Sequence, residues 1–250
     1  MSLYHHRALQ VKGDRGRYIE DTVAKEDTFQ LSINGVLFGR MVASSGQLRE
    51  LGAGFVICEG ITDHVERVEV EGSEIRVYAP LSEMKNHGTG SSGGIECEGE
   101  PRYVSSDLVI DPQQVYRVTR EIHSEVWQQT GGVHCSVLFC KGEVVAKSCD
   151  LGRHNTVDKV VGHAILHGLD RSKCIIGCTG RQPAGMVTKV ANAGIPLVIS
   201  RAASTDQGIR VAERYGVTLI CFSRGDRFTI YSHPERVRGI VFEEGDLAPH

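Results

Sequence analysis

The sequence predicts an α/β protein: a mainly parallel sheet with helices on both faces, preceded by a smaller N-terminal lobe of hairpins and one helix. Three observations predict it. From residue 135 onward, short apolar runs of strand length alternate with stretches of helical apolar spacing, the pattern of right-handed crossovers onto a parallel sheet. Before residue 80 the apolar runs come in pairs around Asn34-Gly35 and Gly72-Ser73, as antiparallel hairpins do. Between these regions lies a Gly/Ser-rich stretch that cannot bury apolar surface. The expected division is a hairpin-and-helix lobe over 1–83, a flexible loop over 84–103 and an α/β domain over 104–250.

Residues 1–26 are polar and charged, with no clear period. Residues 28–33 and 36–42 flank Asn34-Gly35, which suits the positive φ angles of a two-residue turn. Leu48, Leu51, Phe55 and Val56 follow at helical spacing, and Gly60 stops that helix. Residues 67–70 and 74–79 form the second hairpin. The Gly/Ser stretch, centred between His87 and Cys97, reads as a mobile linker. A helix then starts at Asp111, with Pro112 in its first turn and Gln114 completing a capping box. Its stripe is Val115, Val118, Ile122 and Val126, and Gly131-Gly132 ends it. Strands 135–140 and 143–149 meet at Lys141-Gly142. Val157, Val160, Val161, Ala164 and Ile165 mark the next helix; 173–178 is a strand; Met186, Val187 and Val190 lie on a helix stopped by Gly194. Strand 196–200, helix 205–215, strand 217–222 and a short strand 228–231 complete the alternation, and the tail from Pro234 is expected to be peripheral.

Bulk composition is that of an ordinary globular protein, 40% hydrophobic and 24% charged. A net charge of -3 gives no whole-chain field to draw nucleic acid or an acidic membrane. Neither a bilayer-length apolar run nor a signal-peptide core at Met1–Gln10 is present, so a cytoplasmic location is expected. Cys135, Cys140, Cys149, Cys174, Cys178 and Cys221 sit in or beside apolar runs and read as small buried hydrophobes. Paired CxxC motifs are absent, which removes support for structural zinc.

Four strands are expected to end in arginine-bearing loops. These are Asp150-Leu151-Gly152-Arg153-His154-Asn155, Thr179-Gly180-Arg181, Arg201, and Ser223-Arg224-Gly225-Asp226-Arg227. Open α/β sheets bind ligands at the carboxyl ends of their strands, and helix N-termini with arginines favour anions. A single surface arginine pairs with a carboxylate as readily as with a ligand; four on one edge point to an anionic, phosphorylated ligand. Walker A and GxGxxG motifs are both missing, so common NTPases and dinucleotide dehydrogenases lose support.

The residues also resemble a known family. Asp150 to Gly162, D-L-G-R-H-N-T-V-D-K-V-V-G, is similar to the D-(I/V)-G-R-H-N-A-V-D-K-V-I-G segment of formate dehydrogenase accessory (FdhD) proteins. Thr130 to His134 resembles the family's T-G-G-x-H turn, Thr179 to Arg181 its S-G-R, and Leu51 to Gly60 its L-A-x-G-F-L-x-x-E-G helix. Phe222 to Tyr231 resembles its F-x-R-G-x-R-F-N-V-Y close. The resemblance implies a cytidine-deaminase-like fold. It implies a sulfurtransferase that binds the bis-guanine-dinucleotide molybdenum cofactor and delivers sulfur to it, through a cysteine persulfide, for formate dehydrogenase maturation. Expected partners are the catalytic subunit of formate dehydrogenase, a cysteine desulfurase as donor and a second copy in a homodimer. The implied cofactor-binding segment is Phe222, Ser223, Arg224, Gly225, Asp226 and Arg227; the strand-end reading adds Arg153, His154, Arg181 and Arg201.

The family's loop carries a C-G-x-C-G motif, where this chain has Ser91-Ser92-Gly93-Gly94-Ile95-Glu96. Cys97 stands one residue late and is the catalytic candidate, although Glu96, Glu98 and Glu100 disfavour its thiolate. The alternatives are a cofactor-binding chaperone without the persulfide step and a nucleotide-modifying deaminase-like enzyme. Zinc deamination needs H-x-E and P-C-x-x-C, and neither His154-Asn155-Thr156 nor the segment around Pro183-Ala184 supplies them, so no zinc is expected.

Overall fold

The polar N-terminus, in which no period is legible, forms a hairpin of β1 (Leu3–Lys12) and β2 (Arg15–Ala24), paired from Leu3↔Ala24 to Lys12↔Arg15. Gly13, at φ 63°, makes its turn. Tyr4, Leu9, Val11 and Tyr18 are all exposed, and neither face of the ribbon is buried. A two-residue alternation marks a strand only when one face is buried, and for that reason these strands escape a periodicity reading. The computed structural model describes residues 2–80, 87–88, 96–97 and 100–241, with backbone only for 87–88 and 96–97.

The two predicted hairpins form as expected. They are β3 (Asp27–Ile33) with β4 (Val36–Ala43), and β5 (Arg67–Glu71) with β6 (Glu74–Tyr78). A parallel β3–β6 pairing joins them into one sheet of order β4-β3-β6-β5. Helix α1 (Leu48–Cys58) lies against this sheet through Gly52, whose Cα faces Ile75, Val77 and Val68. Across 84–103, the described residues are 100–103, which form no helix or strand, and a two-residue antiparallel ladder, β7 (His87–Gly88) with β8 (Glu96–Cys97), pairing His87 with Cys97. The rest of the Gly/Ser segment, 84–86, 89–95 and 98–99, lies outside the described residues, and so does the expectation of mobility.

Helix α2 (Pro112–Glu121) carries the predicted capping box. The Asp111 carboxylate accepts from Gln114 N–H at 2.8 Å, and Gln114 Oε1 accepts from Asp111 N–H at 3.1 Å. The single helix expected to reach Gly131 is broken. A second one, α3 (Glu125–Thr130), starts after Ser124, whose Oγ accepts from Trp127 N–H at 3.2 Å. A serine that offers its hydroxyl to the backbone competes with continuation of the helix through it.

The second sheet holds β9 (His134–Cys140), β10 (Glu143–Asp150), β11 (Cys174–Cys178), β12 (Leu197–Ser200), β13 (Thr218–Arg224) and β14 (Arg227–Ser232), in the order β10-β9-β11-β12-β13-β14. It is mixed, not mainly parallel as predicted. Only β11–β12 and β12–β13 pair in parallel; β10–β9, β9–β11 and β13–β14 are antiparallel. The tight turns at Lys141-Gly142 and Gly225-Asp226 leave no room for a crossover helix, so each folds its strand straight back. Because β9 opposes both β10 and β11, the strands β10, β11, β12 and β13 all point the same way. Their carboxyl ends therefore share one edge.

Helices α4 (Arg153–Leu166), α5 (Ala184–Asn192) and α6 (Asp206–Tyr215) follow β10, β11 and β12. They cover one face over Leu138, Ile176, Val198 and Leu219, and α1 packs in turn against α4 and α5. On the opposite face α2 packs Val115, Val118 and Ile122 on Val137, Ile175, Ile199 and Ile220. The core beneath α1 and that beneath α4 are continuous. The two helices cross at glycines: a Cβ on Gly54 would lie 1.7 Å from Asp158 O, and one on Gly162 would lie 1.8 Å from Glu50 O. The tail from Pro234, expected to be peripheral, is built in as far as Arg238. Arg236 is buried and donates from Nη1 to Gly216 O at 2.7 Å and from Nη2 to Val104 O at 3.2 Å, and Val237 is buried beside it. A guanidinium with this many carbonyl acceptors can be buried, which a composition reading of the tail does not show.

Candidate functional site

The segment from Asp150 to Asn155 turns β10 into α4, and its geometry is set by Asp150. This fully buried carboxylate lies 2.6 Å from Lys159 Nζ, itself fully buried. Its Oδ2 accepts from Ser44 N–H at 3.0 Å and Ser44 Oγ at 2.8 Å; its Oδ1 accepts from Gly152 N–H at 3.1 Å and Asn155 Nδ2 at 2.8 Å. Burial alone raises the carboxyl, but Lys159, Asn155 and the Gly152 amide outweigh it and hold Asp150 below the usual range. Asp150, Asn155 and Lys159 thus tie β10 and the first turns of α4 to the loop before α1. Arg153 and His154 are left beside a cavity.

That first cavity, of about 520 Å³, is lined by Phe38, Arg40, Phe55, Arg153, His154 and a buried charge cluster. In the cluster Lys189 Nζ stands 2.6 Å from Glu59 Oε1 and 2.8 Å from Asp158 Oδ1. Burial pushes Asp158 up to about 6, Glu59 adds to the rise and Lys189 opposes it. Arg153 Nε and both ring nitrogens of His154 are buried and bond to no described residue. Burial, followed by Lys189, Arg153 and His134, drives His154 down to about 3. The imidazole is then neutral throughout the physiological range. Ring ¹⁵N shifts of His154 are expected to stay constant between about pH 8 and pH 5; a midpoint near ~6.5 would overturn the buried placement. The unfolded chain takes up this proton more readily. The corresponding stability is therefore present above about pH 6.5 and is lost as the pH falls toward the folded value.

A second cavity, of about 650 Å³, opens at the shared carboxyl edge. Arg201 follows β12 and Arg224 ends β13, and both line it with Thr179, Ser124 and the backbone of Gly131 and Gly132. Arg224 Nε donates to Arg201 O at 2.8 Å, and its Nη groups bond to no described residue. His134 Nδ1 lies 3.1 Å from Thr179 Oγ1. His134 and Leu151 line both cavities and form the wall between them. Burial lowers His134, and Arg153 lowers it further.

The predicted binding residues are thereby distributed. Arg201 and Arg224 meet at the second cavity, and Arg153 and His154 at the first. Arg181 is exposed and lines neither, although its charge reaches Arg153, whose pKa burial and Arg181 both lower. Phe222 is exposed at φ 53°, with its N–H on Ala202 O at 3.0 Å. Ser223 is buried against Thr119, and Gly225-Asp226 makes the β13–β14 turn, where Tyr116 OH donates to Asp226 O at 2.6 Å. Arg227 is exposed at the start of β14. The backbone of Cys97 is in β8, and its side chain lies outside the described residues. Sequence reading missed Glu59, Asp158 and Lys189. The available signal was charge inside otherwise apolar helical stripes, as in Val157-Asp158-Lys159-Val160 and Val187-Thr188-Lys189-Val190.

Among the described residues, no group of three or more His, Cys, Asp or Glu could hold a metal ion, and no helix is long and apolar enough to cross a membrane. The sulfur carrier protein FdhD of Methanothermobacter thermautotrophicus is 32% identical over 251 aligned positions, which cover 95% of this chain and 100% of that protein. The protein FdhD of Methanocaldococcus jannaschii is 33% identical, over 90% of this chain and 96% of its own. A crystal structure from Desulfotalea psychrophila, described as that of a formate dehydrogenase accessory protein, superposes with a TM-score of 0.79 at 26% identity, covering 94% of this chain and 99% of that one. Residues 24–238 match the sequence model of the FdhD/NarQ family, to which this chain belongs.

Proposed function

We propose that the protein is a sulfur carrier in formate dehydrogenase maturation, and that it holds the bis-guanine-dinucleotide molybdenum cofactor at the carboxyl edge of its six-stranded sheet. The observation that carries the binding half is the cavity where Arg201 and Arg224 meet between strand ends, beside the Gly131-Gly132 backbone. Permanently charged planar groups and close-approach glycines are what pyrophosphate and guanine-nucleotide arms require. The sulfur half is supported by the names of the relatives. In this reading Cys97 carries the persulfide, a cysteine desulfurase loads it and the catalytic subunit of formate dehydrogenase receives the sulfurated cofactor, with the carrier a cytoplasmic homodimer. The reading extends to a deaminase-like ancestry of the sheet, supported by the first turns of α4 and α5 at the same edge, without the cysteines of a zinc site.

GDP stands in for one arm of the cofactor. Calorimetric titration is expected to show binding to the wild type and a loss of about 1.5–3 kcal/mol in Arg224→Ala and in Arg201→Ala, the scale of a charge-assisted hydrogen bond. That is roughly a tenfold to hundredfold weakening. Arg227→Ala, outside the lining, is expected to bind as the wild type does. Equal affinities in all four proteins would remove the cavity as the binding site.

A further inference from the structure

Cys135 and Cys149 stand directly opposite each other on the antiparallel strands β9 and β10. Cross-strand neighbours in an antiparallel pair have Cα atoms about 4.5–5.5 Å apart, inside the range that a disulfide spans. Cys149 is half-buried and Cys135 beside it is buried. The Cys149 Sγ lies 3.0 Å from Ser124 Oγ, and Ser124 lines the second cavity. One thiol of the pair therefore reaches the wall of the proposed cofactor site through a single hydroxyl, with a second thiol placed to attack it.

From this geometry we infer that Cys149 accepts sulfane sulfur from a persulfide donor and that Cys135 resolves it, releasing sulfide beside the cavity; this rests on the sulfur-carrier reading above. In the first step the Cys149 thiolate attacks the outer sulfur of a donor R–S–SH. The donor S–S bond breaks, a new S–S bond forms on Cys149, and R–S⁻ leaves. In the second step the Cys135 thiol attacks Cys149 Sγ. The outer sulfur departs as hydrogen sulfide with both protons, reduced by two electrons, while the two cysteines are oxidised to a Cys135–Cys149 disulfide. A dithiol reductant returns the pair to its starting state. Electrostatics support the division of labour. The hydrogen bond from Cys135, helped by Ser124 and Lys147, holds Cys149 at about 6 against the opposing effect of burial. That same hydrogen bond, together with burial, pushes Cys135 up, so in the resting pair the shared proton stays on Cys135; once Cys149 holds the extra sulfur, Cys135 gives that proton to the departing sulfur as it attacks.

The full chain is incubated with glutathione persulfide, and its cysteine peptides are mapped by mass spectrometry while released sulfide is measured. The wild type is expected to yield a Cys135–Cys149 disulfide and one sulfide per chain. Cys135→Ser should instead retain one extra sulfur on Cys149, and Cys149→Ser should lose both products. Native alkylation of wild-type Cys149, followed against pH, supplies a readout that does not depend on any variant folding; labelling that rises with a midpoint near that of an unperturbed thiol, ~8.5, would overturn the inference. Sulfur on Cys97 alone would also overturn it and leave the sulfur-carrier reading standing. Loading of no cysteine would overturn both. A disulfide formed without stoichiometric sulfide would show a plain redox pair and refute the transfer step.

Discussion

Lys159→Met is expected to destabilise the protein by about 3–5 kcal/mol, because it leaves the Asp150 carboxylate buried without its counter-charge. Both side chains are fully buried, so water cannot replace the lost ammonium. Lys159 Nζ also donates to Ser44 O at 3.2 Å and Ser44 Oγ at 2.9 Å, so the loop before α1 loses its anchor in the same variant. Urea denaturation of Lys159→Met, Asp150→Asn and the double variant measures the coupling; the double variant should be less unstable than the sum of the singles. A Lys159→Met loss below ~1 kcal/mol, the size of an exposed pair, would contradict the buried placement. Acid should act on the wild type through the same carboxylate. Its folded pKa is lowered, so its contribution is complete above about pH 3.9 and disappears as the pH falls through the folded value.

Gly54→Ala is expected to have the opposite sign from the one helix propensity gives. In an exposed helix interior, alanine for glycine gains roughly 0.5–1 kcal/mol. At Gly54 the new methyl would lie 1.7 Å from Asp158 O, a backbone atom that no side-chain rotation can move. The α1–α4 crossing must open, and a loss of about 3 kcal/mol or more follows, at the upper end for overpacking. Gly185 in α5 is the control. It is exposed with nothing within 4 Å of an added Cβ, so Gly185→Ala should leave the melting temperature unchanged or raise it. Thermal melts of the two variants decide the matter; similar behaviour would mean that the helices do not meet at Gly54.

Legibility in the sequence followed burial. The strands and helices that bury one face announced themselves, down to the capping box at Asp111 and the Asn34-Gly35 turn. The ribbon β1–β2 did not, because both its faces meet water. The direction of β9 was hidden for another reason: an apolar run looks the same whichever way it points, and only its turn lengths reveal that it runs back. The arginines at strand ends were legible as a group because chain order places them after strands. Their separation into two cavities was not, since it depends on the α4 start turning Arg153 and His154 toward the N-terminal sheet. The cluster of Glu59, Asp158 and Lys189 joins three helices distant in sequence, and the Cys135–Cys149 pair depends on the register of one hairpin. Neither is visible before the strands and helices are assembled.

The wall shared by the two cavities carries a thermodynamic obligation. His134 and Leu151 line both the cavity of Arg201 and Arg224 and the cavity of Arg153 and His154. Any occupant of one cavity that shifts His134, or changes its charge, alters the affinity of the other cavity by some factor, and reciprocity requires the same factor in return. Filling one compartment can then loosen or secure the contents of its neighbour with no movement larger than the turn of an imidazole.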